Sequence, residues 1–343
     1  MLSIISYIFQ PAIDALFGPN IAFDYRWRLL LLQPLTLITY SIIRIPYLFS
    51  APFTTVYIPI RTGQKLRALV YLPRRRREGQ LSPLHISFHS GGFIGGFPEV
   101  QSGFNKLLPE LTGAVVIAPH YRVAPRHVFP AAIDDADDIV EFCLNHAEEL
   151  WGADPKLLTV DGFSAGCNLA LAICQQDRCH PPAETAVKAS VTFYAPVDLR
   201  LKPVDKPRPD NFPKRDPMAV FLPLYDAYAG PVRAENMENP RLSPILSDVG
   251  RLPERMLLIV PAIDILVHEQ LTFVERVQRE LVENGLDKQG RSCEAHVVEG
   301  AFHGWLELPY LPRALKEKRD KSYQLGIDML RATHQKYGWT WSV

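Results

Sequence analysis

The sequence predicts an α/β fold, a mostly parallel central sheet flanked by helices, and three observations point to it. From Pro83 onward, short apolar runs alternate with longer amphipathic stretches, the pattern of strand–helix units in a parallel sheet. The length of 343 residues accommodates one large domain or two ordinary ones and can bury a large core unaided. A composition of 47% apolar and 22% charged residues is that of a globular chain and excludes a disordered or fibrous one. With 37 basic and 37 acidic side chains, no net charge draws the chain toward nucleic acid or an anionic membrane surface, so no nucleic-acid partner is expected.

The elements follow in chain order. Met1–Phe9 is apolar but lacks the basic start and small-residue cleavage site of a signal peptide. Leu29–Ile43 is the most hydrophobic stretch. It has 15 residues, carries Gln33 and Pro34, and is flanked by Arg26, Arg28 and Arg44. A membrane span needs about 20 apolar residues, so a packed or interfacial helix is expected, and peripheral membrane contact through the N-terminus stays open. Strands are expected at His85–His89, Ala114–Ala118, Leu157–Val160, Ser190–Tyr194, Met256–Val260 and Ala295–Val298. Helices are expected at Ala131–Leu150, Ala165–Gln175, His268–Asn284 and about Lys321–Lys336, with Gly285 placed as a C-cap glycine. Leu199–Pro244 breaks the alternation: it is rich in proline and carries Phe212, Met218, Phe221, Tyr225 and Tyr228. Structureless loops of that length are uncommon in compact domains. The segment reads as a lid over the carboxyl edge of the sheet, against the plainer reading of a solvated insertion. The five cysteines are odd in number, scattered, and free of CxxC or Cys/His metal spacing. That pattern predicts reduced thiols in an intracellular, cytoplasmic protein and no metal site.

Two glycine motifs carry the chemistry. Gly162-Phe163-Ser164-Ala165-Gly166 falls directly between an apolar strand and a helix. A nucleophile elbow needs that setting, a sharp turn with glycines where a side chain would clash and a helix N-terminus beneath the serine. The plainer reading is a tight turn with a bystander serine. His89-Ser90-Gly91-Gly92-Phe93 closes the His85–His89 strand, and its glycines can turn backbone N–H groups toward a developing oxyanion. A phosphate-binding loop is excluded, because neither GxGxxG nor a Gly-Lys-Ser/Thr loop is present.

Five ordered blocks resemble the hormone-sensitive-lipase-type family of α/β-hydrolases, which includes arylacetamide deacetylase and many microbial esterases. The family's HGGGF, YRLAPE with FPAALDD, GDSAGG, DxLxD and HGF appear here as HSGGF, YRVAPR with FPAAIDD, GFSAGC, Asp264-Ile265-Leu266-Val267-His268 and His303-Gly304-Trp305. The match runs from about residue 58 to 335. It implies an α/β-hydrolase fold over residues 51–343 with a helical cap, formed by residues 1–50 and the insertion at about 199–244.

Both routes lead to the remaining groups. A serine hydroxyl needs a histidine to take its proton, and that histidine needs an acid to fix its tautomer. In this fold the chain order is serine, acid, histidine. Asp264 lies just beyond the Met256–Val260 strand, 100 residues after Ser164, and His303 follows 39 residues later. Asp161 and Asp135 are rival acids, and Asp264 could instead cap the following helix. By the resemblance, Gly91, Gly92 and Ala165 supply the oxyanion hole. Ser90 replaces the family's first glycine, Phe163 an acidic residue, Cys167 a glycine and Arg126 a glutamate. Phe93, Phe163, Phe221, Tyr225 and Trp305 are the expected substrate contacts, and no cofactor is signalled. The sequence therefore predicts a serine carboxylester hydrolase acting on a small to medium apolar or aromatic ester. Two alternatives remain: the same site used for cyclisation, condensation or dehydration in small-molecule biosynthesis, and a non-enzymatic small-molecule receptor.

Overall fold

The structure is a computed structural model that describes residues 2–18, 21–75, 79–214, 219–308 and 310–342. Met1, Pro217 and Met218 lie outside the described residues. In chain order the elements are α1 (Leu2–Phe17), α2 (Phe23–Arg44), β1 (Thr54–Pro59), β2 (Lys65–Tyr71), β3 (Ser82–Phe88), α3 (Ser102–Asn105), α4 (Leu107–Thr112), β4 (Val115–Pro119), α5 (Ala131–Trp151), β5 (Ala153–Phe163), α6 (Ala165–Ala172), β6 (Ala189–Phe193), α7 (Leu222–Tyr225), β7 (Arg255–Ile263), α8 (Val267–Glu283), β8 (Ser292–Phe302) and α9 (Arg313–Lys336).

The described strands form one sheet in the order β1-β2-β4-β3-β5-β6-β7-β8. It is antiparallel where β2 meets β1 and β4, and parallel in every other pairing. The parallel strands are covered on both faces, and β3 is buried at every position, which is why they read as continuous apolar runs. One face carries a core that includes Phe104, Phe163, Phe193, Trp305, Ile327 and Leu330, built with α3, α4 and α9. The other packs on α5, α6 and α8.

All six expected strands are present, preceded by β1 and β2. The last helix begins at Arg313, not near Lys321, because its first turns are exposed and charged and show no apolar stripe to read. Gly285 takes φ +65° just past α8, the left-handed position expected of it.

At the N-terminus, α1 and α2 pack together. The Ala12 N–H donates to Gln33 Oε1 at 3.0 Å, and Arg26 donates to the carbonyls of Ala15, Gly18 and Ile21. The 199–244 segment is a series of short helical turns, several opening on proline, where the fixed φ suits a first turn and the missing N–H costs nothing. Arg28 Nε donates to the Val220 carbonyl at 2.6 Å, so α2 rests against this segment. At the far end of α2, Arg44 shares the buried Glu99 carboxylate with Arg67 of β2. The five cysteines are unpaired and buried, and burial raises every one of the thiol pKa values, those of Cys143, Cys179 and Cys293 to about 12.

Candidate active site

Ser164 sits on the turn between β5 and α6 with φ 49° and ψ −121°, a conformation that L residues rarely adopt. The turn is closed from both sides. A Cβ on Gly166 would lie 2.1 Å from the Phe88 carbonyl oxygen, and one on Gly162 would lie 2.4 Å from the Cys167 nitrogen. Glycine is required at both positions for β3, β5 and α6 to converge. Cys167 turns away from the site, with its Sγ against the carbonyls of Gly162 and Phe193.

Ser164 Oγ lies 2.8 Å from His303 Nε2, and His303 Nδ1 lies 2.8 Å from Asp264 Oδ2. Asp264, at the end of β7, is almost fully buried, and its Oδ1 accepts the Leu266 N–H at 3.0 Å. His303 follows β8 directly, and its side chain is 42% exposed. Partial burial lowers its pKa, but the Asp264 charge and hydrogen bond, aided by Glu307 and Glu269, outweigh that and hold it above the ordinary imidazole value. The rival acids are engaged elsewhere: Asp161 with His85 at 3.0 Å, Asp135 with Arg122 at 2.7 Å.

The loop after β3 is positioned by the elbow itself, since Gly166 abuts the carbonyls of Phe88 and His89. Gly91 takes φ 131° and Gly92 φ 59°, and among the described residues no hydrogen bond uses the N–H of Gly91, Gly92 or Ala165. His89 anchors the loop. Its Nδ1 donates to the Ser90 carbonyl at 2.6 Å, its ring stacks on Tyr121 at 4.3 Å, and Tyr121 Oη donates to the His89 carbonyl at 2.8 Å. Burial pushes the His89 pKa down to about 4, so the anchor is neutral at ordinary pH.

The expected substrate contacts divide. Tyr225 lies over the loop, with its ring 2.6 Å from where a Cβ on Gly92 would stand. The other four lie in the core. Phe163 stacks on Phe193 at 4.3 Å and Trp305 is fully buried, both in the core beneath α9, because strand alternation and the turn after His303 send these side chains to the far face. Phe93 stacks on Tyr228 at 4.1 Å, and Phe221 is 8% exposed, both in the core on the α5 side.

Sequence reasoning missed Glu307. Its Oε1 accepts the Tyr194 hydroxyl at 3.1 Å, its carboxylate also pairs with the Ser90 side chain, and the Tyr194 ring meets that of His303 edge-on at 5.1 Å. Its spacing from His303, four residues around a short turn, was the one available signal.

A family model described as alpha/beta hydrolase fold matches residues 85–307. The chain is 34% identical over 157 residues to "Arylacetamide deacetylase-like 2" of Homo sapiens, a match covering 45% of this chain and 37% of that protein. It is 28% identical over 191 residues to an arylesterase of Saccharolobus solfataricus, covering 55% and 59% of the two chains. These matched stretches span from about a third to three fifths of the relatives' lengths. A longer match, 26% identical over 271 residues, joins it to "Ethyl acetate hydrolase" of Pseudomonas putida, covering 79% of this chain and 80% of that one. Among solved structures, the hyperthermophilic esterase of the archaeon Pyrobaculum calidifontis superposes with a TM-score of 0.66 at 26% identity, over 86% of this chain and 89% of that one. With an elbow, an eight-stranded sheet of this order and a family match over most of its length, the chain belongs to the α/β-hydrolase fold family.

Proposed function

We propose that the protein is a serine carboxylester hydrolase in which Ser164 is the nucleophile, His303 the general base and Asp264 the orienting acid. The observation that carries this reading is the unbroken hydrogen-bonded path Ser164–His303–Asp264, at 2.8 Å in both steps, beside three backbone N–H groups that have no acceptor among the described residues. Relatives named esterase, arylesterase and ethyl acetate hydrolase support the same chemistry.

In the proposed reaction, His303 Nε2 takes the Ser164 proton as Oγ attacks the ester carbonyl. The tetrahedral oxyanion accepts hydrogen bonds from Gly91, Gly92 and Ala165. His303 then protonates the departing alkoxide, and an acyl-enzyme on Ser164 remains. Water activated by the same imidazole hydrolyses it and restores the hydroxyl. Asp264 steadies the imidazolium in both halves. The 199–244 segment, backed by α2, acts as a cap, and Tyr225 sets which acyl or alcohol groups reach the oxyanion loop.

The test is a burst of p-nitrophenol from a p-nitrophenyl ester together with stoichiometric fluorophosphonate labelling. Both are expected for the native chain and both are expected to vanish in Ser164→Ala. A Ser164→Ala protein that still labels at the native rate would falsify the assignment.

A further inference from the structure

The apolar stretch Phe23–Leu48 is 26 residues long, and only 17% of its apolar 18-residue part is buried within the protein. It is nevertheless bound to the body along its length. Leu29, Gln33 and Tyr40 face inward, Tyr40 packs on Phe97 at 4.6 Å, Arg28 holds the Val220 carbonyl, and Arg44 holds Glu99. The helix lies along the molecule and does not leave it.

Its outer face is unlike an ordinary protein surface. Ten large apolar side chains between Phe23 and Phe49, among them Trp27, Leu31, Leu35, Ile38 and Ile42, are 38% to 85% exposed. At about 200 Å² per large side chain they present on the order of 1,000 Å² of apolar surface, against roughly 300–600 Å² for the largest patch on a typical monomer. From Trp27 to Phe49, Ser41 is the one exposed polar residue. The arginines that border the stretch are turned inward: Arg26 to three carbonyls, Arg28 to Val220 and Asp24, Arg44 to Glu99.

That charge pattern selects the occupant. A protein partner brings a polar rim and about one hydrogen bond per 100–200 Å², and this face offers almost nothing to bond with. An anionic headgroup layer needs free cations, and here they are committed. A hydrocarbon layer needs neither. We propose that the outward face of α2 is a docking surface for the hydrocarbon layer of a lipid bilayer, on which the protein lies with α2 parallel to the membrane plane. Because α2 backs the segment that carries Tyr225, the docked face adjoins the cover of the candidate site. If the proposed hydrolase reading holds, on which this last step rests, the substrates are apolar esters dissolved in the bilayer.

The test is flotation of the purified chain with phosphatidylcholine vesicles, with and without added phosphatidylserine, at low and high salt. It compares the native chain with the combined variant Leu31→Ser, Leu35→Ser, Ile38→Ser and Ile42→Ser, all on the outer face. The native chain is expected to float with neutral vesicles, with little gain from phosphatidylserine and little loss in salt. The variant is expected to bind at least about tenfold more weakly while hydrolysing a water-soluble acetate ester at the native rate. Failure of the native chain to float, or flotation only on anionic vesicles and reversed by salt, overturns the proposal. So does a stable dimer that the variant dissociates, which would identify a second copy as the occupant. Flotation is read without turnover. A chain that floats but hydrolyses nothing sinks the hydrolase reading alone, and one that hydrolyses but does not float sinks the docking surface alone.

Discussion

His303 gathers opposing forces in one side chain. Burial disfavours its charged form, yet the Asp264 charge and hydrogen bond stabilise the imidazolium by more, so the pKa sits above the ordinary imidazole value. The general base proposed here must be unprotonated, and a raised pKa means that the base form is lost earlier as pH falls. The acidic limb of kcat/KM is therefore expected above pH 6.5, the ordinary value. Asp264→Asn removes the charge that raised it, so the limb is expected to move to lower pH while kcat drops by about 10⁴, the scale of losing the correct tautomer. A pH–rate profile of each protein checks both. If Asp264→Asn leaves kcat within a few-fold and the limb unmoved, the acid lies elsewhere. Ser164, Asp264 and His303 were legible as candidates because each directly follows a strand, where a chain must turn at the sheet's carboxyl edge. Glu307 was not, because its neighbours Ser90 and Tyr194 are more than 100 residues away in sequence.

At the scale of an element, neighbouring aromatic residues of the 199–244 segment have opposite fates. Tyr225 stands over Gly92, whereas Phe221 is buried in the core on the α5 side. Tyr225→Ala is expected to change the preference between an acetate and a bulky aryl ester by ~1–3 kcal/mol, about 10–200-fold in relative kcat/KM, with little change in stability. Phe221→Ala is expected to do the reverse, lowering unfolding stability by about 3 kcal/mol in a urea titration and leaving ester preference near native. Equal effects of the two variants would mean that the segment acts as a unit. The sequence marked this stretch by its prolines and aromatic residues but could not tell inward from outward rings, since single turns show no lasting periodicity. The same lack of pattern hid β1 and β2. The first is an edge strand, mostly exposed, and the second carries Arg67 in its middle, a charge that reads as surface until its partner is known.

Across the whole molecule, that partner ties three distant parts together. Glu99 is 1% exposed and receives two hydrogen bonds from Arg67, at 3.0 and 2.6 Å, and one from Arg44 at 2.8 Å. Two residues on, Gln101 donates to Ser90 of the glycine loop after β3 at 3.2 Å. Glu99→Gln strands two guanidinium groups without a counter-charge, one of them buried, and is expected to cost roughly 3–5 kcal/mol of unfolding free energy, read in denaturant. A change under about 1 kcal/mol would mean that water already satisfies the pair. The unpaired thiols carry a consequence of another kind. Cys143, Cys167, Cys174, Cys179 and Cys293 are spread through α5, α6, the segment after it and β8, and each is buried with its thiolate suppressed. An alkylating reagent therefore meets no target until the interior opens, and the count of modified sulfurs over time becomes a built-in clock for how often, and where first, the molecule comes apart.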